Sequence, residues 1–152
     1  MEGLFINQPL DDFFKEETAT QEITPKQLFI DFICQLEGWK TKCKNLHWSA
    51  PKKNIHEDLD DFLSVISDYQ DGLAEDYQGT LGKMQPNAIK GTPCECLNAI
   101  DFIREVAVKT KEFYAKIAND VDYVGIKSET ETFIHQIKVY TYKFGLCDVR
   151  PY

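Results

Sequence analysis

An all-α four-helix bundle is the fold class this sequence predicts, on three observations. Apolar residues recur every three or four positions over four long stretches. Capping or breaking residues bound each stretch. The gap between the second and third stretches is long and carries Gly79, Gly82, Pro86, Gly91 and Pro93, as a bundle requires when a long crossover joins its second and third helices. At 152 residues, one domain with a real core is expected. The composition, 43% hydrophobic and 28% charged, is that of a soluble chain. No segment approaches the roughly eighteen apolar residues of a membrane span, and no secretory leader is visible after Met1, so a cytoplasmic location is expected.

Residues 1–23 read as an acidic tail, with six acids against Lys15, which is five of the net −8 charges. Its apolar residues Leu4, Phe5, Ile6, Leu10, Phe13 and Phe14 suit either a docking peptide or an arm lying on its own subunit. The bundle is assigned to residues 24–147 and a short tail to 148–152. The first helix starts at Thr24-Pro25, a good N-cap followed by a proline suited to the first turn. Leu28, Phe32, Leu36, Trp39, Cys43 and Leu46 form its stripe, and Pro51 prevents its continuing past Ser49-Ala50. Lys52 and Lys53 read as a solvated turn.

The second helix is expected from about Asn54 to Gln78, with Asn54 as N-cap and Glu57 at the capping-box spacing. Its stripe is Ile55, Leu59, Phe62, Ile66, Tyr69, Leu73 and Tyr77. Asp58 and Asp61 face water. Gly79 to Pro93 is the connector. The third helix spans roughly Pro93 to Ala118, with Leu97, Ile100, Ile103, Ala107, Tyr114 and Ile117 apolar. The fourth runs from an N-cap at Ser128, with Glu131 three residues on, to about Phe144, and Gly145 caps it. Phe133, Ile137, Tyr140 and Phe144 form its stripe.

The candidate chemistry lies in residues 47–75, HWSAPKKNIHEDLDDFLSVISDYQDGLAE. Six residues matter: His47, Trp48, His56, Asp60, Asp71 and Glu75. Asp71 and Glu75 lie one turn apart on one helix face, as do His56 and Asp60. His56 and Asp71 are fifteen positions apart, about 22 Å along a straight helix. Metal ligands must lie within about 2–2.5 Å of their ion. One copy of the helix therefore cannot close a site with both ends. Two copies packed antiparallel across a two-fold axis can, and such a dimer has two sites.

This stretch resembles the ferroxidase signature of the Dps proteins, the twelve-subunit mini-ferritins of the ferritin-like superfamily. In that family a His-Trp pair ends the first helix, here His47-Trp48. A second histidine opens the next helix with an acid four later, here His56 and Asp60. A D-x-x-x-E pair follows fifteen positions after that histidine, here Asp71 to Glu75. The family usually spaces its two histidines by twelve positions; this chain spaces them by nine and lacks the family's loop glycine.

The resemblance implies a ferritin-like four-helix bundle with its long crossover between helices 2 and 3, assembled as a homo-oligomer of twelve subunits built from two-fold dimers. It also implies an oxidoreductase: Fe(II), as a single ion or a di-iron pair, is held by His47, His56 and Asp60 of one subunit and Asp71 and Glu75 of its mate. Hydrogen peroxide, or dioxygen, oxidises it, ferric iron is stored in the hollow shell, and oxidative damage is averted. Trp48 is then either a quencher of stray oxidising equivalents or interface packing. The acidic balance suits a cation-attracting cavity, with Asp120 and Asp122 as guesses for pore acids. The tail is acidic where some Dps tails are lysine-rich, so DNA binding does not carry over. The alternative is a ferritin-like shell whose metal site is degenerate or structural and whose tail binds a partner.

Other chemistry is weaker. The five cysteines, Cys34, Cys43, Cys94, Cys96 and Cys147, suit reduced thiols. Cys94-x-Cys96 has a metal-binding spacing, but incidental packing explains it better. Glu131 and His135 are four apart, which a surface salt bridge explains. No E-x-x-H pair occurs, which speaks against a di-iron site enclosed by one subunit. No P-loop or dinucleotide fingerprint is present.

Overall fold

A computed structural model describes residues 23–147. The docking-peptide residues of the tail and the C-terminal segment 148–152 lie outside them. Among the described residues all regular structure is helical: α1 Pro25–Trp48, α2 Lys53–Leu81, α3 Ala99–Lys116 and α4 Val124–Gly145, with a 3-10 turn, Val121–Tyr123, leading into α4. Helix α1 packs on α2, α3 on α4, α2 on α4 and α1 on α3, so the four form a square bundle. No helix among the described residues is long and apolar enough to cross a membrane.

Helix α1 begins as its residues demand. Thr24 is extended and its hydroxyl accepts the Gln27 amide at 3.2 Å, with Pro25 in the first turn. The α2 stripe is buried at every one of its seven expected positions, as is the α4 stripe at its four. Aromatic rings fill the core among the four helices. Phe32 stacks on Phe113 at 4.0 Å and Tyr69 on Phe133 at 4.2 Å. The Tyr69 hydroxyl donates to Thr130 Oγ1, which in turn donates to the Ile126 carbonyl, so this buried polar chain is satisfied. Burial raises the Tyr69 phenol well above its ordinary range.

Several boundaries differ from those expected. Helix α2 starts at Lys53 with Lys52 in the N-cap position, and Asn54 lies inside the first turn with its Oδ1 on the Ile55 amide. Glu57 pairs instead with Lys53, at 3.6 Å on an exposed surface. The helix continues through Gly79 to Leu81 and stops where Gly82 takes φ 107°, a conformation that favours glycine. Helix α3 starts at Ala99, not Pro93, because Asn98 caps it: its Oδ1 takes the Asp101 amide at 2.8 Å and its Nδ2 reaches the Asp101 carboxylate. Leu97 therefore precedes the helix and is 88% exposed, and the buried face is Ala99, Phe102, Ile103, Val106, Thr110 and Phe113. Ser128 is interior to α4, and Gly145 is its last residue, with Leu146 as C-cap.

The connector 82–98 forms no helix, only a turn at 86–87. It is laid against α1 instead. The Thr92 amide bonds to the Cys34 carbonyl at 3.0 Å, and the Cys34 thiol reaches the Ala88 carbonyl. Gly38 makes this possible, since a Cβ there would stand 1.7 Å from the Thr92 carbonyl oxygen. The connector's last residues, Leu97 and Asn98, share a cavity with Leu46 and Ile55, where α1 hands over to α2.

Candidate metal centre

The turn at residues 49–52 brings the two histidines together. Helix α1 closes on Ser49, whose hydroxyl and amide both return to the Asn45 carbonyl, and Pro51 blocks any further turn. Helix C-termini leave carbonyls without intrahelical partners. The His47 carbonyl is one of these, and it accepts from His56 Nδ1 at 2.7 Å. In return His47 Nδ1 donates to the His56 carbonyl at 2.6 Å. The rings stack with centroids 3.7 Å apart and planes 20° from parallel. The spacing of nine therefore brings these histidines into contact.

This reciprocal pair fixes the tautomers. A carbonyl oxygen only accepts, so each Nδ1 carries hydrogen and each neutral ring keeps its lone pair on Nε2. A backbone carbonyl on the far nitrogen is also the usual support for a metal-ligating imidazole. The two rings thus offer two Nε2 donors from adjoining helix ends.

Asp60, Asp71 and Glu75 are all exposed on α2. Asp71 borders a shallow groove between α1 and α2, together with Glu37, Lys40 and Gln70. Among the described residues, neither histidine belongs to a group of three or more potential ligands within 4.8 Å of one another. A single chain therefore holds the imidazoles together and leaves Asp71 about four turns away on the same helix and Glu75 about five. Trp48 is 67% exposed beside the pair, with Lys44 Nζ 5.6 Å from its ring.

Two acids that the sequence reading missed lie close to the far end. Asp76 and Glu129 face each other across α2 and α4, and Asp76 Oδ2 and Glu129 Oε2 are shielded without a hydrogen-bond partner. Burial first, then the Asp76 carboxyl, then the charge of Glu75 push Glu129 up to about 7. Glu129 also opens on a cavity of about 380 Å³ lined with Asp68, Tyr69 and Gly72. No motif marks this pair, because it is made by contact between helices more than fifty positions apart. Asp120, guessed as a pore acid, caps the 3-10 turn by accepting the Asp122 amide at 2.9 Å. Glu131 accepts the Tyr114 hydroxyl at 2.5 Å.

The one group of three close ligands among the described residues lies elsewhere: Cys94, Cys96 and Glu105. No protein-family model matches the chain, and no solved structure matches it at a significant level.

Proposed function

We propose that the chain is a Dps-like mini-ferritin that oxidises ferrous iron at sites shared between two subunits and stores the ferric product in a hollow twelve-subunit shell. The observation that carries this is the reciprocal His47–His56 pair, which locks two imidazoles side by side with both Nε2 lone pairs free. Imidazole with carboxylate suits ferrous iron, and carboxylate also stabilises the ferric state. On this proposal Asp60 of the same subunit and Asp71 and Glu75 of the mate complete the ligand set. Trp48, 67% exposed beside the pair, would be covered by the same interface.

The ferritin-like topology is part of the proposal, and the path of the connector supports it. It leaves α2 at Leu81, runs along α1 past Cys34 and Gly38, and reaches α3 beside the turn where α2 began. That path suits α3 running parallel to α2, as a long crossover between the two demands.

Iron is the substrate. Two ferrous ions each give one electron to one hydrogen peroxide, whose O–O bond breaks. Both oxygens end in water or hydroxide, so no hydroxyl radical is released. Hydrolysis of the two ferric ions to oxyhydroxide releases protons. The chain's residues bind and orient the ferrous ions, and the backbone carbonyls keep the Nδ1 protons in place so that Nε2 remains the donor.

The experiment is anaerobic loading with ferrous iron, then addition of peroxide or dioxygen while the ferric band is followed, alongside light scattering. The expected result is rapid oxidation by a twelve-subunit particle and at least about a tenfold slower rate in His56→Ala, whose loss removes one ligand. A twelve-subunit particle that oxidises iron no faster than buffer would mark a shell with a degenerate site. A lone subunit would remove the shared site altogether.

A further inference from the structure

We propose that Cys94, Cys96 and Glu105 form a separate metal site for a thiophilic divalent ion of the zinc class, one that fastens the connector to α3. Their ligand atoms already converge: all lie within 4.8 Å of one another, and Cys94 Sγ is 3.1 Å from Glu105 Oε2. Around a tetrahedral zinc, with Zn–S near 2.3 Å and Zn–O near 2.1 Å, neighbouring ligand atoms stand about 3.5–3.8 Å apart. Small side-chain adjustments separate the two arrangements. Two thiolates and one carboxylate select a soft, borderline ion over magnesium or calcium.

The surroundings are those of a ligand set. The Trp39 indole Nε1–H donates to Glu105 Oε2 at 2.8 Å, which fixes the carboxylate's orientation from α1. Lys109 Nζ stands 3.7 Å from Glu105 Oε1. Two thiolates and a carboxylate carry three negative charges, which the ion and this lysine together balance. Cys94 is buried, while Cys96 is half-buried and gives access from solvent. A cavity of about 200 Å³, lined by Gly38, Thr41, Thr92 and Cys94, adjoins the site on its Cys94 side.

Ordinary packing accounts for Cys43, whose thiol is fully buried and donates to the Leu59 carbonyl. It does not account for a second thiol, Cys96, standing within 4.8 Å of both the Cys94 sulfur and the Glu105 carboxylate. The site is also separate from the iron centre, since it draws on the connector and α3 and includes neither histidine.

The test uses the full chain, stripped of metal and kept reduced, titrated with cobalt(II) and then with zinc. One cobalt per chain should give a thiolate-to-metal charge-transfer band and the intense visible bands of a tetrahedral centre, and zinc should displace both. Cys96→Ser and Glu105→Gln should each weaken binding by at least about tenfold, while His56→Ala leaves the bands unchanged. X-ray absorption at the zinc edge of the unmutated protein should show two sulfur ligands, which keeps the test independent of whether any variant folds. No charge-transfer band, a zinc shell without sulfur, bands that survive Cys96→Ser at full affinity, or bands lost with His56→Ala would each overturn the proposal.

Discussion

A neutral histidine that donates from Nδ1 to a backbone carbonyl has one lone pair left, and it is on Nε2. His47 and His56 do this to each other, so neither ring can turn its Nε2 inward without losing a hydrogen bond worth about 1 kcal/mol. Glu129 makes a different statement at the same scale. Its carboxyl sits near 7 in the folded chain, against an ordinary 4.5. Between those values the native state holds more protons than the unfolded one, so stability falls as pH rises through that window. The stabilising contribution of the protonated group is fully present below 4.5 and is lost as pH passes about 7. Thermal melts with a chelator present should show Glu129→Gln gaining stability over the wild type as pH rises from 4.5 to above 7. An unchanging gap would mean that Glu129 does not titrate in that range. The histidines were legible in the sequence because the signature is local: two rings, one short turn and a helical register. Glu129 and Glu105 were not, because each owes its role to a neighbour brought by packing.

At the scale of the element, the connector is the part with the narrowest tolerance. It crosses α1 at Gly38, where no side chain fits beneath the Thr92 carbonyl. Gly38→Ala would gain up to about 1 kcal/mol of helix propensity. It would also drive a methyl into backbone that cannot rotate away, an overpacking cost of about 1–3 kcal/mol or more. The expected net result is destabilisation in urea melts, with the Thr92 amide losing its protection from hydrogen exchange. A more stable variant with protection intact would show that the connector is not seated there.

The buried stripes of α2 and α4 were readable because they keep an unbroken helical period, although both helices run beyond their expected ends. The expected start of α3 near Pro93 is six residues earlier than the observed start at Ala99. The real signal was Asn98 with Asp101 three residues on, where the Asn98 side chain captures one of the helix's free N-terminal amides. Cys94 and Cys96 consequently fall before the helix, which is how both come to face Glu105.

For the whole molecule, the deciding quantity is length. The paired imidazoles sit at one end of α2, and Asp71 lies about 22 Å along it with Glu75 a further turn on, far beyond the reach of one ion. The square bundle leaves both ends of this line exposed on α2. That is the geometry on which the proposed two-fold pairing acts, and sequence spacing alone was enough to raise it. The assembly was not legible in the same way, because the faces that would join subunits carry no period or motif of their own.

The most direct test is complementation. Prepare His56→Ala and Asp71→Ala separately, confirm that each oxidises ferrous iron poorly, then dissociate, mix and reassemble them. In a mixed pair one site carries both substitutions and the other carries none, so activity should return in up to about half the sites of each mixed dimer. If labelled subunits exchange freely and activity stays at the level of the single variants, the ligands are not shared between subunits and the proposed iron site is wrong.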